Sequence, residues 1–180
     1  MFFEIYLISK LQLLIGHPGQ VVAIVLGSII LFTGVGSLIS SHTMSRWRLN
    51  PGGIALGVVG CMFLFGMLFD LAKGEIIAWP FAAKCAVAFL MPAIPCSLMG
   101  HLFPTGIRRL SRMDAEVAPW AFAVNGVSGT LASGMVIVVA QAFGYNSMLL
   151  LGCLCYMIVC LVELRSRKKE MAVEAELAQV

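Results

Sequence analysis

An all-helical bundle that crosses a membrane about six times is the fold this sequence predicts, and three observations predict it. The first is composition: 60% of the 180 residues are hydrophobic, 12% are charged, and the mean hydropathy is +0.96. A soluble domain of this size is roughly half apolar and about a quarter charged, so this chain has more apolar surface than a water-facing fold could hide. The second observation is that the apolar residues gather in six runs separated by short polar breaks. The third is that the basic residues fall in every other break.

The first run, Phe2–Ile15, closes at Gly16-His17-Pro18-Gly19. As a helix it reaches only about 21 Å, against roughly 30 Å of hydrocarbon. Either it tilts into a thinned region or an upstream piece of the chain is missing, and the second is the expectation. Glu4 stands where a signal peptide would carry basic residues, so this run reads as part of the bundle rather than a leader. The second run, residues 21–40, ends in the polar stretch 41–50. The third, 53–72, ends at Lys73-Gly74-Glu75. The fourth, 76–99, contains Pro80, Pro92 and Pro95. The fifth, 119–142, opens on Pro119, where the missing N–H costs nothing. The sixth, 148–164, runs into a charged tail, dividing the chain into a membrane domain over 1–164 and a cytoplasmic tail over 165–180.

Lys and Arg collect in cytoplasmic loops, which orients the bundle. Arg46 and Arg48 follow the second run, Arg108, Arg109 and Arg112 follow the fourth, and Arg165, Arg167, Lys168 and Lys169 follow the sixth. The alternate breaks hold Lys73 alone. Both termini are therefore expected in the cytoplasm, in a bacterial cytoplasmic membrane. The same alternation accounts for the net charge of +3 without a nucleic-acid partner. The bilayer itself is the first partner, and the basic face suits anionic lipid or an acidic protein surface.

Within the spans, Gly126, Thr130 and Gly134 recur every four residues and form one small-residue stripe, the kind that lets helix backbones approach closely. Gly34 in the second run is expected at a helix contact too. Asn125 beside the stripe carries an amide that hydrocarbon cannot satisfy, so it should bond another helix. Pro92, Pro95, Gly100, Pro104 and Gly106 predict a broken fourth helix around residues 99–106, with His101 at the break. Lys10 and Lys84 lie within spans. Lys84, a turn beyond Pro80, can snorkel, whereas Lys10 should pair with a group on another helix. His17, His42 and His101 fall in different breaks, and the six cysteines sit in apolar runs without C-x-x-C spacing, so neither a metal nor a cofactor is expected. No nucleotide-binding, zinc-hydrolase or nucleophile-elbow motif occurs.

Four segments in order carry a resemblance: residues 4–8 through Gly16-His17-Pro18; Leu31-Phe32-Thr33-Gly34-Val35-Gly36-Ser37-Leu38; Met99-Gly100-His101-Leu102-Phe103-Pro104; and Pro119-Trp120-Ala121-Phe122-Ala123-Val124-Asn125-Gly126. Their order resembles the C-terminal membrane domain of the multi-spanning spermidine synthase-like proteins, fusions of a major-facilitator-like membrane part with an aminopropyltransferase-like domain. The resemblance spans roughly residues 3–160. In that family a nucleotide-binding αβ domain precedes the membrane part, and the acidic residues that bind its substrates have no counterpart in this sequence. The resemblance thus implies the fold, Trp120 and Pro104 as marked positions near the cytoplasmic face, and an enzyme-like partner there. It implies no enzymatic activity for these residues.

Three functions follow as expectations. The chain is a non-catalytic module anchoring or complementing a separate partner; or a half-transporter working as a homodimer, since six helices with a basic second break resemble half a major-facilitator fold; or a structural subunit of a larger complex. The topology is checked in a cysteine-free background carrying Asn146→Cys. An impermeant thiol reagent is expected to label it from outside only, and labelling from the cytoplasm would reverse the orientation.

Overall fold

The computed structural model describes the backbone of residues 1–47, 50–113 and 116–177, and all side chains among them except those of 42–47, 112–113, 167 and 169–177. The described residues form seven α-helices: α1 (Phe2–Ile15), α2 (Pro18–Trp47), α3 (Pro51–Ile77), α4 (Phe81–Leu90), α5 (Ala93–Met113), α6 (Val117–Phe143) and α7 (Asn146–Leu177). Five stretches are long and apolar enough to cross a membrane: Pro18–Ser41, Pro51–Ile77, Phe81–Ser111, Val117–Phe143 and Asn146–Ser166. The chain is thus a helical membrane bundle with five full-length spans. The sixth expected crossing, α1, has 14 residues and stays short.

Local chemistry sets the helix ends. Gly16 adopts a left-handed φ of 82° and gives its N–H to the Gln12 carbonyl at 3.0 Å, closing α1. Pro18 and Pro51 then open α2 and α3 at positions where no N–H is needed. Two expected boundaries move. The third helix does not stop at Lys73-Gly74-Glu75 but continues to Ile77, because charge ends an apolar run without ending a helix. Pro80 ends it, since the residue before proline is pushed out of the helical region. The polar residues 41–47 likewise extend α2.

The break in the fourth span also moves. It falls at Met91-Pro92, not at 99–106. Met91 still donates to Val87 at 2.9 Å, and the ladder restarts when Cys96 donates to the Pro92 carbonyl at 3.0 Å. Pro95 occupies the first turn of α5, where it removes no bond. Pro104 lies inside α5, which carries on to Met113. Neighbouring helices let membrane spans absorb such a proline.

The short α1 lies in the middle of the packing. Six of its residues are buried, Phe3, Tyr6, Leu7, Leu11, Leu14 and Ile15, at the three- and four-residue spacing of one helix face. They meet Val21 and Val25 of α2, and Met62, Phe65 and Phe69 of α3. Phe65 stands edge-on to Phe3 (5.9 Å between centroids) and to Tyr6 (6.2 Å), the preferred arrangement of aromatic pairs.

The most extensive helix pair is α2 with α5, followed by α3 with α7. A Cβ on Gly36 would strike the Ser97 carbonyl oxygen, and one on Gly100 would strike that of Thr33, so the two backbones touch. These glycines, not Gly34, make the close approach. Gly34 lies two positions from Gly36, hence on another side of the helix, and a Cβ there meets nothing within 4 Å. The stripe on α6 is corrected in the same way: Cβ atoms on Gly126 and Gly134 meet nothing within 4 Å, and Thr130 is exposed. Within this chain the stripe packs against no helix, because α6 turns it outward.

Gly36→Ala and Gly100→Ala are each expected to destabilise the bundle by about 1–3 kcal/mol through overpacking against backbone. Gly34→Ala should change it little. Thermal unfolding in detergent separates the two classes.

Candidate functional site

Three groups of side chains bring the expected residues together. At one end of the bundle, α2, α5 and α7 converge. The Arg108 guanidinium donates to the Ser40 hydroxyl at 2.9 Å and to that of Thr105 at 3.3 Å. Arg109 donates to both carboxylate oxygens of Glu163 at 2.8 Å. About two turns deeper, His101 is buried with Nδ1 2.7 Å from the Ser97 carbonyl. Arg165 is exposed beyond Glu163. Arg46 continues α2, and Arg112 and Arg167 lie in α5 and α7, with side chains outside the described set; Arg48 lies outside the described residues.

The opposite end holds a second group. Lys10 of α1 and Lys73 of α3 both donate to one oxygen of Asp70, at 3.1 and 3.2 Å. The Lys10 ammonium also lies 5.6 Å from the Tyr6 ring centroid and 6.0 Å from that of Phe69. Its partner on another helix is therefore Asp70, the one acid of the third apolar run. Opposite charge lowers the cost of holding an ammonium among apolar side chains, and the two ring faces add to it. Lys84, in the first turn of α4, is half-buried and has no carboxylate partner among the described residues.

The third group lines a groove of about 510 Å³ where the first half of α6 diverges from α5. Phe103 and Leu110 form its α5 wall. Val117, Trp120, Ala121, Val124, Asn125 and Ser128 form the α6 wall. Phe103 meets Phe122 edge-on at 5.2 Å, holding the two helices together beside the groove. Trp120 is 73% exposed. Asn125 does not reach another helix as expected: it is exposed, facing the groove, without a hydrogen bond among the described residues.

The groove thus joins two marked residues, Trp120 and Asn125, with the α5 segment containing His101 and Pro104. It leaves Gly126, Thr130 and Gly134 on a different side of α6. Ser128 and Glu163 were not singled out from sequence. Ser128 lies within the marked 125–130 segment, but only the helical phase tells which of its small residues faces α5. Nothing local marks Glu163 as the partner of an arginine 54 residues away. Among the described residues no three His, Cys, Asp or Glu side chains are grouped to hold a metal ion. The chain matches no protein-family model, no curated protein and no solved structure.

Asp70→Leu is expected to destabilise the bundle by about 1–3 kcal/mol, because it leaves the 14%-exposed Lys10 unpaired while the carboxylate it removes was half-exposed. The double variant Lys10→Met/Asp70→Leu should recover most of that loss. A double-mutant cycle on detergent unfolding measures the coupling.

Proposed function

We propose that this chain is a non-catalytic membrane module that complements a protein partner. It docks the partner's membrane helix on the outer face of α6 and turns the Arg108–Arg109 end, with the C-terminal tail, toward the bacterial cytoplasm. The observation that carries the reading is the state of α6. Of its 27 residues Val136 is the one buried, and a four-residue repeat of small side chains faces away from the chain's own helices. In a bilayer, apolar side chains gain nothing by leaving lipid, so helices associate through close backbone approach. An unused Gly126–Thr130–Gly134 stripe is a surface of that kind.

The interior favours the module over the half-transporter. The buried polar side chains Ser28, Ser40, His101 and Thr105 each bond a carbonyl of their own helix. Core polar groups already satisfied in this way do not offer a solute path. The resemblance to the membrane part of spermidine synthase-like fusions agrees with a soluble partner at the basic end, where Arg108 and Arg109 are fixed by neighbours and Arg165 is exposed.

A photo-crosslinking residue at Val127 or Ile137, both exposed beside the stripe, is expected to capture one defined foreign chain in native membranes. The same residue at Leu71, exposed on α3, should capture none. Gly134→Leu should abolish the adduct without altering the unfolding temperature of the isolated chain. Capture of a second copy instead would support the homodimer, and absence of any adduct would remove the reading.

A further inference from the structure

The fold fixes the half-buried Arg108 guanidinium in place without giving it a counter-charge. Its Nη2 donates to the Ser40 hydroxyl of α2 and to the Thr105 hydroxyl of α5, both of them buried. Those hydroxyls spend their own hydrogens on carbonyls, Ser40 on Ser37 and Thr105 on His101, so their lone pairs are left for the arginine. Both acceptors are neutral, and Arg108 has no carboxylate partner among the described residues. The cations that bridge helices elsewhere do have one, Lys10 in Asp70 and Arg109 in Glu163. Lys84 is half-buried and also without a carboxylate, but no hydrogen bond among the described residues holds it, and its flexible stem can carry the ammonium to water.

Depth decides which anion can meet this guanidinium. The apolar stretch Phe81–Ser111 has 31 residues, about 46 Å of helix against roughly 30 Å of hydrocarbon, so about 8 Å emerges at each end. Arg108 stands about 4.5 Å before Ser111, and the Thr105 it bonds stands about 9 Å before it. Ser40 is next to last in the stretch Pro18–Ser41, so α2 gives the same level. The guanidinium is thus held where hydrocarbon meets headgroups. Lipid phosphates lie at that level, whereas an acidic protein that stays in water meets the loops beyond it. The net charge there is positive: the breaks after the second and fourth runs hold Arg46, Arg48, Arg108, Arg109 and Arg112 against Asp114 and Glu116.

We propose that Arg108, oriented by Ser40 and Thr105, binds the phosphate of an anionic phospholipid at this end of the bundle. The two bonds made by Nη2 leave the N–H of Nε and the two of Nη1 to donate to phosphate oxygens. A lipid whose headgroup carries no ammonium is preferred, because the phosphate charge is then free to neutralise the arginine. Ser40 and Thr105 are positioning residues, since they act through Arg108. The site does not depend on the partner-docking reading, which rests on the outer face of α6, nor on which end of the bundle faces the cytoplasm.

The test follows thermal unfolding of the full chain in mild detergent while phosphatidylglycerol is added. The unfolding temperature should rise saturably by about 3–5 °C, and phosphatidylcholine or inorganic phosphate should not reproduce the rise. Arg108→Gln should weaken the apparent affinity for phosphatidylglycerol by about tenfold. Arg165→Gln, which removes the same charge from an exposed side chain of the same end, should leave it unchanged. If Arg108→Gln fails to fold, Ser40→Ala, which keeps the guanidinium but removes one of its two anchors, should weaken the affinity by about threefold. Equal losses in Arg108→Gln and Arg165→Gln would reduce the site to a diffuse basic surface and overturn the proposal. An equal rise with phosphatidylcholine, with inorganic phosphate or with a polyglutamate peptide overturns it too, as does no rise at all.

Discussion

Lipid does not press helices together, and this bundle depends on a close approach of the α2 and α5 backbones. Between apolar helices in a bilayer the hydrophobic effect supplies no net attraction, so dispersion contacts must do so, and they fade within an ångström of optimal distance. Gly36 and Gly100 remove the side chains that would hold α2 and α5 apart. With that spacing fixed, the α5 end meets the α2 end closely enough for Arg108 to reach Ser40. On its other side α5 also packs against α3, which packs against α7. Glu163 is thereby brought within reach of Arg109.

Charge is distributed in accordance with this packing. Among the described residues an inter-helix ion pair stands at each end of the bundle, Lys10–Asp70 and Arg109–Glu163, and each joins helices from distant parts of the chain. Coulomb attraction is stronger where water is scarce, but so is the cost of an error. Ion pairs of this type therefore act more as selectors of register than as a source of stability. Rotating α1 by one residue would move Lys10 away from Asp70 and the Tyr6 ring together.

Much of this was legible in the sequence, for physical reasons that differ by feature. The membrane class follows from composition alone, but the helix starts were displaced: the runs expected from residues 21 and 53 begin at Pro18 and Pro51, and the one expected at Pro119 begins at Val117. Lys10 could be assigned a partner on another helix because an unpaired ammonium in a span is too costly to leave. The helix contact face was not legible. Gly34, Gly36, Gly126 and Gly134 are equivalent as small residues, and only the rotation of each helix in three dimensions decides which one meets a neighbour. The break in the fourth span shows a similar limit. Pro92 and Pro104 carry the same local penalty, but the ladder restarts cleanly after the first, while α5 carries the second within a helix covered by α2 and α3.

The short first helix has a consequence for how the bundle is assembled. Its 14 residues are synthesised before those of the helices around them, yet their surroundings come from α2, α3, α4, α6 and α7. A segment about 21 Å long is a weak candidate to cross roughly 30 Å of hydrocarbon unaided. Its lodging, formed by Met62, Phe65 and Phe69 on one side and Met148 and Cys153 on another, is complete only after α7 has emerged. A helix made before α2 to α7 thus finds its place only after they have been made, and α1 acts as the keystone set after the arch is raised.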